Sequence, residues 1–283
     1  MLSPVGLEFL DAGHCLHPEW VVMRNRRIRP IKFPSMFAVI EHPKAGVILF
    51  DTGYSMRFRE LTTSFPGRLY QWVTPVTIDP QTCAVSKLER KGIEPRDVRH
   101  IIVSHFHADH ICALTDFPAA TYWFHRRAWD SVRHRSAWRG VYKGFLPDLI
   151  PDDFMARSRV IESRELIDLP SEFLPYRKGY DLLKDGSLMA VELPGHACGQ
   201  LGLFLQSSKG QTFFLAADAC WHSESYRSLI FPHPITSLLF DDYRVYQDTL
   251  MQIQMLWQQR KDIVIAPSHC SEFHAQFCNK GAC

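Results

Sequence analysis

The sequence predicts an α/β fold: two mixed β-sheets packed face to face with helices on the outside, an αββα sandwich. Three observations lead there. Short apolar, β-rich runs bounded by turn residues recur in both halves of the chain. Stretches with helical spacing stand at residues 83–91 and 244–259, and each is followed by a short buried strand pattern. Strands and helices alternate without an internal repeat or a long polar linker, which favours layers around one core over separate modules.

At 283 residues the chain is long for one domain but within the range of single layered units. A single domain is therefore expected over residues 1–283. Its 46% hydrophobic and 22% charged residues are ordinary for a globular protein and supply a sizeable core. The formal net charge of +2 predicts a small-molecule partner, with no nucleic acid and no membrane surface, and leaves a homodimer open. No run reaches the roughly 18 apolar residues of a membrane span. The first residues lack the basic and long apolar regions of a secretory leader, so the reading is cytoplasmic. Eight cysteines without a CxxC pair read as reduced thiols, with Cys278 and Cys283 in a terminal tail.

Taken in order, residues 36–40 and 47–50 form a strand pair around a hairpin-like connection, and Asp51-Thr52-Gly53 closes the second strand. Residues 83–91 are helical, with Val85 and Leu88 on the apolar stripe and Gly92 as the stop. The chain turns at Pro95 and returns as a buried strand over 98–103. Residues 121–124 are a further strand. Over 125–163, arginines alternate with Trp129, Trp138, Tyr142 and Phe145, a pattern read as a helical insertion covering the core, one or two amphipathic helices plus a loop. Strands follow at 188–193, 201–205 and 212–217, then the helix over 244–259 and a last strand at 263–266.

The chemistry concentrates in Ser104-His105-Phe106-His107-Ala108-Asp109-His110, directly after a buried strand. His105 and His107, two apart, can converge on one ion, while Asp109 and His110 turn past them toward a second. Imidazole and carboxylate are ligands for Zn²⁺, or for Mn²⁺ or Fe²⁺. A lone histidine is usually structural; three histidines and an aspartate within six positions at a strand end point to metal.

This H-x-H-x-D-H run resembles the signature of the metallo-β-lactamase superfamily. Further positions match its pattern in order: Asp51, supporting the metal loop; His196 in Pro194-Gly195-His196; Asp218 after the 212–217 strand; and His269 after Pro267-Ser268. The resemblance implies two divalent metal ions, most readily zinc. One would sit on His105, His107 and His196, the other on Asp109, His110 and His269, with Asp218 bridging. Coordination acidifies a water between such ions to near neutral pH, and Asp109 is implied as the group that orients it and handles the proton.

Within the superfamily, the early Leu10-Asp11-Ala12-Gly13, the aromatic stretch with Phe65, Tyr70 and Trp72, and the chain length are similar to the N-acyl-homoserine lactone lactonases. That resemblance implies hydrolysis of a lactone, ester or thioester with an apolar acyl part. Three positions depart from the lactonase pattern: Trp221 stands where a substrate-holding tyrosine is usual, Gln200 replaces a second histidine, and Cys270 replaces an aspartate after the last ligand. Trp221 is thereby a candidate substrate contact. A phosphodiesterase or nuclease on the same site, or a non-catalytic metal-binding protein of this fold, are the alternatives.

Overall fold

The computed structural model describes residues 2–278. Thirteen strands run in chain order as β1 (Pro4–Pro18), β2 (Pro30–His42), β3 (Gly46–Phe50), β4 (Val76–Thr77), β5 (Val98–Ile102), β6 (Thr121–His125), β7 (Ser158–Ile161), β8 (Ile167–Asp168), β9 (Lys178–Asp181), β10 (Met189–Glu192), β11 (Leu201–Ser207), β12 (Thr212–Ala217) and β13 (Ile263–Pro267). One sheet has the order β7-β6-β5-β3-β2-β1, with β4 beside β1; the other comprises β8 to β13. The two are continuous, because Pro4 and Val5 at the start of β1 pair in parallel with Gln206 and Ser207 of β11. Both sheets are mixed: β3, β5, β6 and β7 are parallel, as are β12 and β13, and the other pairs are antiparallel apart from that β1–β11 junction.

Side-chain alternation sorts the strands into layers. On β2, Met36, Ala38 and Ile40 face the space between the sheets, while Phe37 and Val39 face the outer helices. On β12, Phe213 and Leu215 point between the sheets and Phe214 and Ala216 outward. The outer face of the first sheet is covered by Phe58, Leu88, Ile111 and Phe154, and that of the second by Tyr246, Leu250, Ile253 and Leu256 of the helix Tyr243–Gln259. Two sheets between two helical layers is the expected sandwich. Among the described residues no helix is long and apolar enough to cross a membrane, and the cysteines are free thiols; Cys283 lies outside the described residues.

Two expectations need correction. The amino-terminal stretch is one 15-residue strand, β1, paired along most of its length with β2. Its alternation is masked by an irregularity between Asp11 and His14, where Gly13 has a φ of 73°. The 125–163 segment holds, besides two helices and a loop, strand residues at both ends. His125 ends β6, helices span Arg126–Val132 and Ala137–Val141, and Ser158–Ile161 is the edge strand β7. Four residues at a sheet edge are set by pairing to β6, not by any local period.

Candidate metal centre

The carboxyl ends of β3, β5, β12 and β13 meet at one edge of the sandwich, and each delivers a polar residue there. β3 ends at Asp51, whose φ of 63° turns the chain sharply. β12 ends at Ala217, with φ 45°, placing Asp218 just beyond the sheet. Two non-glycine residues in the left-handed region at one site are strained conformations held by their surroundings. Backbone bonds fix the junction: Ser268 N donates to the Ala217 carbonyl at 3.2 Å and Met36 N to the Ser268 carbonyl at 3.0 Å. His196 arrives on the loop after β10. A Cβ on Gly195 would overlap the Tyr246 backbone, so glycine is required for this loop to lie on the helix start.

One donor atom each from His105, His107, His196 and Asp218 lies within 4.8 Å of the others, and the same holds for Asp109, His110 and His269. All seven side chains are buried. Asp218 touches both groups: Oδ2 is 3.3 Å from His196 Nε2, while Oδ1 is 3.3 Å from His110 Nε2 and 3.1 Å from His269 Nε2. Asp109 Oδ2 stands 3.1 Å from His269 Nε2.

The outward nitrogens of His105, His110 and His269 are tied down, which aims the inward ones. His110 Nδ1 lies 2.7 Å from Asp51 Oδ2, His269 Nδ1 2.9 Å from the Pro34 carbonyl, and His105 Nδ1 3.0 Å from Ser104 Oγ. Asp51 in turn accepts from Ser104 N and Ser104 Oγ, both at 2.8 Å. Ser35 Oγ donates to the Asp109 carbonyl at 3.0 Å, and Thr52 Oγ1 to that of His110 at 3.1 Å. Imidazoles whose far nitrogen is held by a carboxylate or carbonyl are the usual arrangement of metal-bound histidines.

The inward atoms also fit a metal. His105 Nε2, His110 Nε2 and Asp218 Oδ1 are buried and make no hydrogen bond among the described residues, a costly state unless a cation takes their lone pairs. His107 Nδ1 and His196 Nε2 face one another at 2.9 Å. Burial pushes the pKa values of His105 and His196 well down and that of His107 to about 4, so all three are neutral donors at pH 7. In the other group burial acts in the same direction but is outweighed. Asp109, Asp51 and Asp218 raise His110 well above its ordinary value, and Asp218 and Asp109 raise His269 to about 10. Against its own burial, Asp109 is held at about 2 by His110 and His269. That half demands positive charge, from protons or from a metal ion.

All seven predicted ligands come together. Trp221 is buried beside them: its indole N–H donates to Asp218 Oδ2 at 3.0 Å, and its ring packs on His196 and Phe240. Cys270 caps the helix Ser271–Phe277 through Phe273 N, and its Sγ lies 3.1 Å from Ser223 Oγ. Gln200 is fully buried, its side-chain amide without a hydrogen bond among the described residues. His222 and His233 cap the starts of Ser223–Ser228 and Pro234–Leu238. Tyr70 belongs to the core, whereas Phe65 and Trp72 are exposed. Sequence reasoning missed Ser35, Ser104, Pro34 and Gly144. A serine flanking the histidine run was the one visible sign. A Cβ on Gly144 would stand 2.9 Å from His107 Cδ2, so the covering segment closes directly on a ligand.

The sequence matches the metallo-beta-lactamase superfamily over residues 32–209. The chain belongs to this superfamily and is a metal-dependent hydrolase. Among its relatives, the N-acyl homoserine lactonase AttM of Azorhizobium caulinodans is 26% identical over 227 residues, 80% of this chain and 76% of that protein. An N-acyl homoserine lactone hydrolase solved with N-hexanoyl-L-homoserine at its catalytic metal centre has a TM-score of 0.74 at 20% identity, covering 98% and 97% of the two chains. The dizinc quorum-quenching lactonase AidC has a TM-score of 0.64 at 16% identity over 96% and 89%.

Proposed function

We propose that this protein is a dinuclear metallo-hydrolase acting in the cytoplasm on a lactone, ester or thioester with an apolar acyl part. Residues 1–283 work as one unit in this reading, with 125–163 as the cover over the site. The observation that carries it is the pair of donor groups sharing Asp218, each with its imidazoles aimed inward. Two divalent ions bound there supply Lewis acidity and a water acidified toward neutral pH.

The chain's own groups do the rest. His105, His107 and His196 hold the first ion as neutral donors, and Asp109, His110 and His269 hold the second. Asp218 spans both, and Trp221 fixes its Oδ2. Asp109 is the acid–base group: its carboxylate is ionised, buried and 3.1 Å from His269, placed to take a proton and return it to a leaving alkoxide. The likeness to lactonases supports an acyl substrate, as do the exposed rings of Phe65, Trp72 and Trp138 beside the covering segment. Trp221 reaches substrate only through its ring, because its N–H is engaged.

The test is kcat/KM across esters and lactones of increasing acyl length, with bis-(p-nitrophenyl) phosphate as the competing class. Each methylene that enters an apolar wall contributes about 0.8 kcal/mol, so kcat/KM is expected to rise about fourfold per CH₂ until the pocket is full. A flat series with faster phosphodiester cleavage would replace this reading by the phosphodiesterase one.

A further inference from the structure

We propose that the surface around the mouth of the metal centre is a docking face for an anionic lipid surface. Four segments build it: residues 24–32, 65–73, 133–143 and 231–239. They touch in sequence. The Phe65 ring stacks on Trp138 at 6.5 Å, Lys143 Nζ donates to the Leu238 and Phe240 carbonyls at 3.0 and 2.8 Å, and Arg24 N donates to the Phe231 carbonyl at 3.1 Å. Three of them lead straight to the metal ligands: Gly144 lies against His107, Asp241 N donates to the His196 carbonyl, and the Pro34 carbonyl meets His269.

Two independent features coincide on this face. The large apolar side chains that are more than half exposed among the described residues all lie on it. Ile28 is on the first segment, Phe65, Trp72 and Val73 on the second, Trp138 and Tyr142 on the third, and Ile235 and Leu238 on the fourth. The same segments carry ten Lys or Arg and no Asp or Glu, although the whole chain has 32 basic and 30 acidic residues. Arg26, Arg29 and Arg133 pair with Glu224, Glu19 and Asp130. Arg27, Lys32, Arg68 and Arg139 are exposed and form no ion pair among the described residues. Asp242, just beyond the fourth segment, caps the helix Tyr243–Gln259. The near-zero net charge, which predicts no membrane partner, averages over this polarised surface.

Protruding aromatic and aliphatic side chains set among arginines suit a bilayer interface. Charge gathers the protein on anionic headgroups, and the apolar tips enter the acyl boundary. Single-stranded nucleic acid fits less well, since Ile28, Val73 and Leu238 offer no planar ring for base stacking. A symmetric dimer through this face would set like charge against like charge.

The experiment is co-sedimentation of the metal-loaded full chain with vesicles of pure phosphatidylcholine and of equimolar phosphatidylcholine and phosphatidylglycerol. Partition is expected on the anionic vesicles, weakening as salt is raised, with little on the neutral ones. Each basic residue at a membrane surface is worth about fivefold. The combined Arg27→Gln, Arg68→Gln and Arg139→Gln variant is thus expected to partition on the order of 100-fold less. Val73→Ser with Leu238→Ser tests the inserting tips and is expected to weaken partition in high salt; unchanged metal content and circular dichroism show that both variants fold. No partition at low salt, wild-type partition of both variants, retention on single-stranded nucleic acid in place of vesicles, or a dimer by light scattering that dissociates in the Val73/Leu238 variant would each overturn the proposal. None of these readouts depends on turnover, so they are separate from the hydrolase reading.

Discussion

The two halves of the metal centre rest on opposite electrostatics. Around His105, His107 and His196, burial, helped by repulsion from neighbouring imidazoles, keeps the rings neutral, and Asp218 is their one carboxylate contact within 4 Å among the described residues. Around His110 and His269, the carboxylates of Asp51, Asp109 and Asp218 crowd so close that they outweigh burial and raise the imidazoles. The first half is a set of preformed neutral donors, whereas the second is an anionic pocket that must be filled by positive charge. The difference begins with the ligands themselves, three imidazoles in one half and two imidazoles with the Asp109 carboxylate in the other. What stands behind the ligands adds to it: Asp51 meets His110 Nδ1 directly at 2.7 Å, but reaches His105 only through Ser104 Oγ.

The largest effect on this contrast is expected from Asp109→Asn. It removes negative charge from the second half and the proposed proton carrier together. A fall of about 10²–10⁴-fold in kcat is the range for a lost acid–base group. Stopped-turnover assays on protein with its metal content measured check this; wild-type kcat at full metal loading would remove Asp109 from the chemistry.

Asp51→Asn is expected to weaken the second half more than the first. Partners behind metal-bound histidines typically change affinity 10–100-fold, and here the direct loss falls on His110, while His105 is reached only through Ser104 and His107 and His196 keep their settings. Competition with a chelator is expected to show the second site released early and the first weakened less. Equal weakening of both would mean that Ser104 carries the change fully into the first half. Trp221→Phe keeps the ring packing and deletes the N–H to Asp218, the residue common to both halves. A hydrogen bond to a charged group contributes about 1.5–3 kcal/mol, so both sites are expected to weaken together by about tenfold or more in the same assay. Selective loss at one site would show that Asp218 is not shared.

The smallest effect lies outside the centre and serves as its control. Asp11 Oδ1 is 2.5 Å from Lys87 Nζ and 3.4 Å from His274 Nε2. Burial opposes its ionisation, but His274 and Lys87 lower its pKa to about 2. A depressed folded-state pKa gives stability that is present above the ordinary value near 3.8 and is lost as pH falls through about 2. Asp11→Asn is expected to cost roughly 2 kcal/mol at pH 7, read by urea unfolding, with the difference shrinking below pH 4. Chelator is expected to leave that difference unchanged, in contrast to Asp51→Asn.

The sequence legible at the centre was the part whose chemistry is local. His105, His107, Asp109 and His110 sit within six positions, so residue type and spacing suffice. His196, Asp218 and His269 were reachable only through the family pattern, since nothing near them in sequence signals a metal. The supporting bonds were not legible at all: Pro34 and His269 are 235 positions apart, and only the fold brings that carbonyl to that ring. Trp221 was read as a substrate contact because it stands where a tyrosine is usual; its hydrogen bond to Asp218, three residues earlier, was not legible. Among the strands, those with clear apolar runs were found. β4 and β8, two residues each, exist only through their partners, and β1 hides its alternation at the Ala12-Gly13 irregularity.

β1 also constrains the order of events when the chain is made. Its first residues pair with Gln206 and Ser207, some 202 positions later. At 5–20 residues per second, translation leaves that edge without its partner for roughly 10–40 s after it emerges. β2 follows after a short helix and loop and can shield the rest of β1, but Pro4 and Val5 must wait for the second sheet. The join between the sheets is therefore a late, long-range closure, of the kind that slows folding. Ribosome-bound chains truncated just short of β11 are expected to expose Val5 and its neighbours to protease, and chains extended past β12 to protect them.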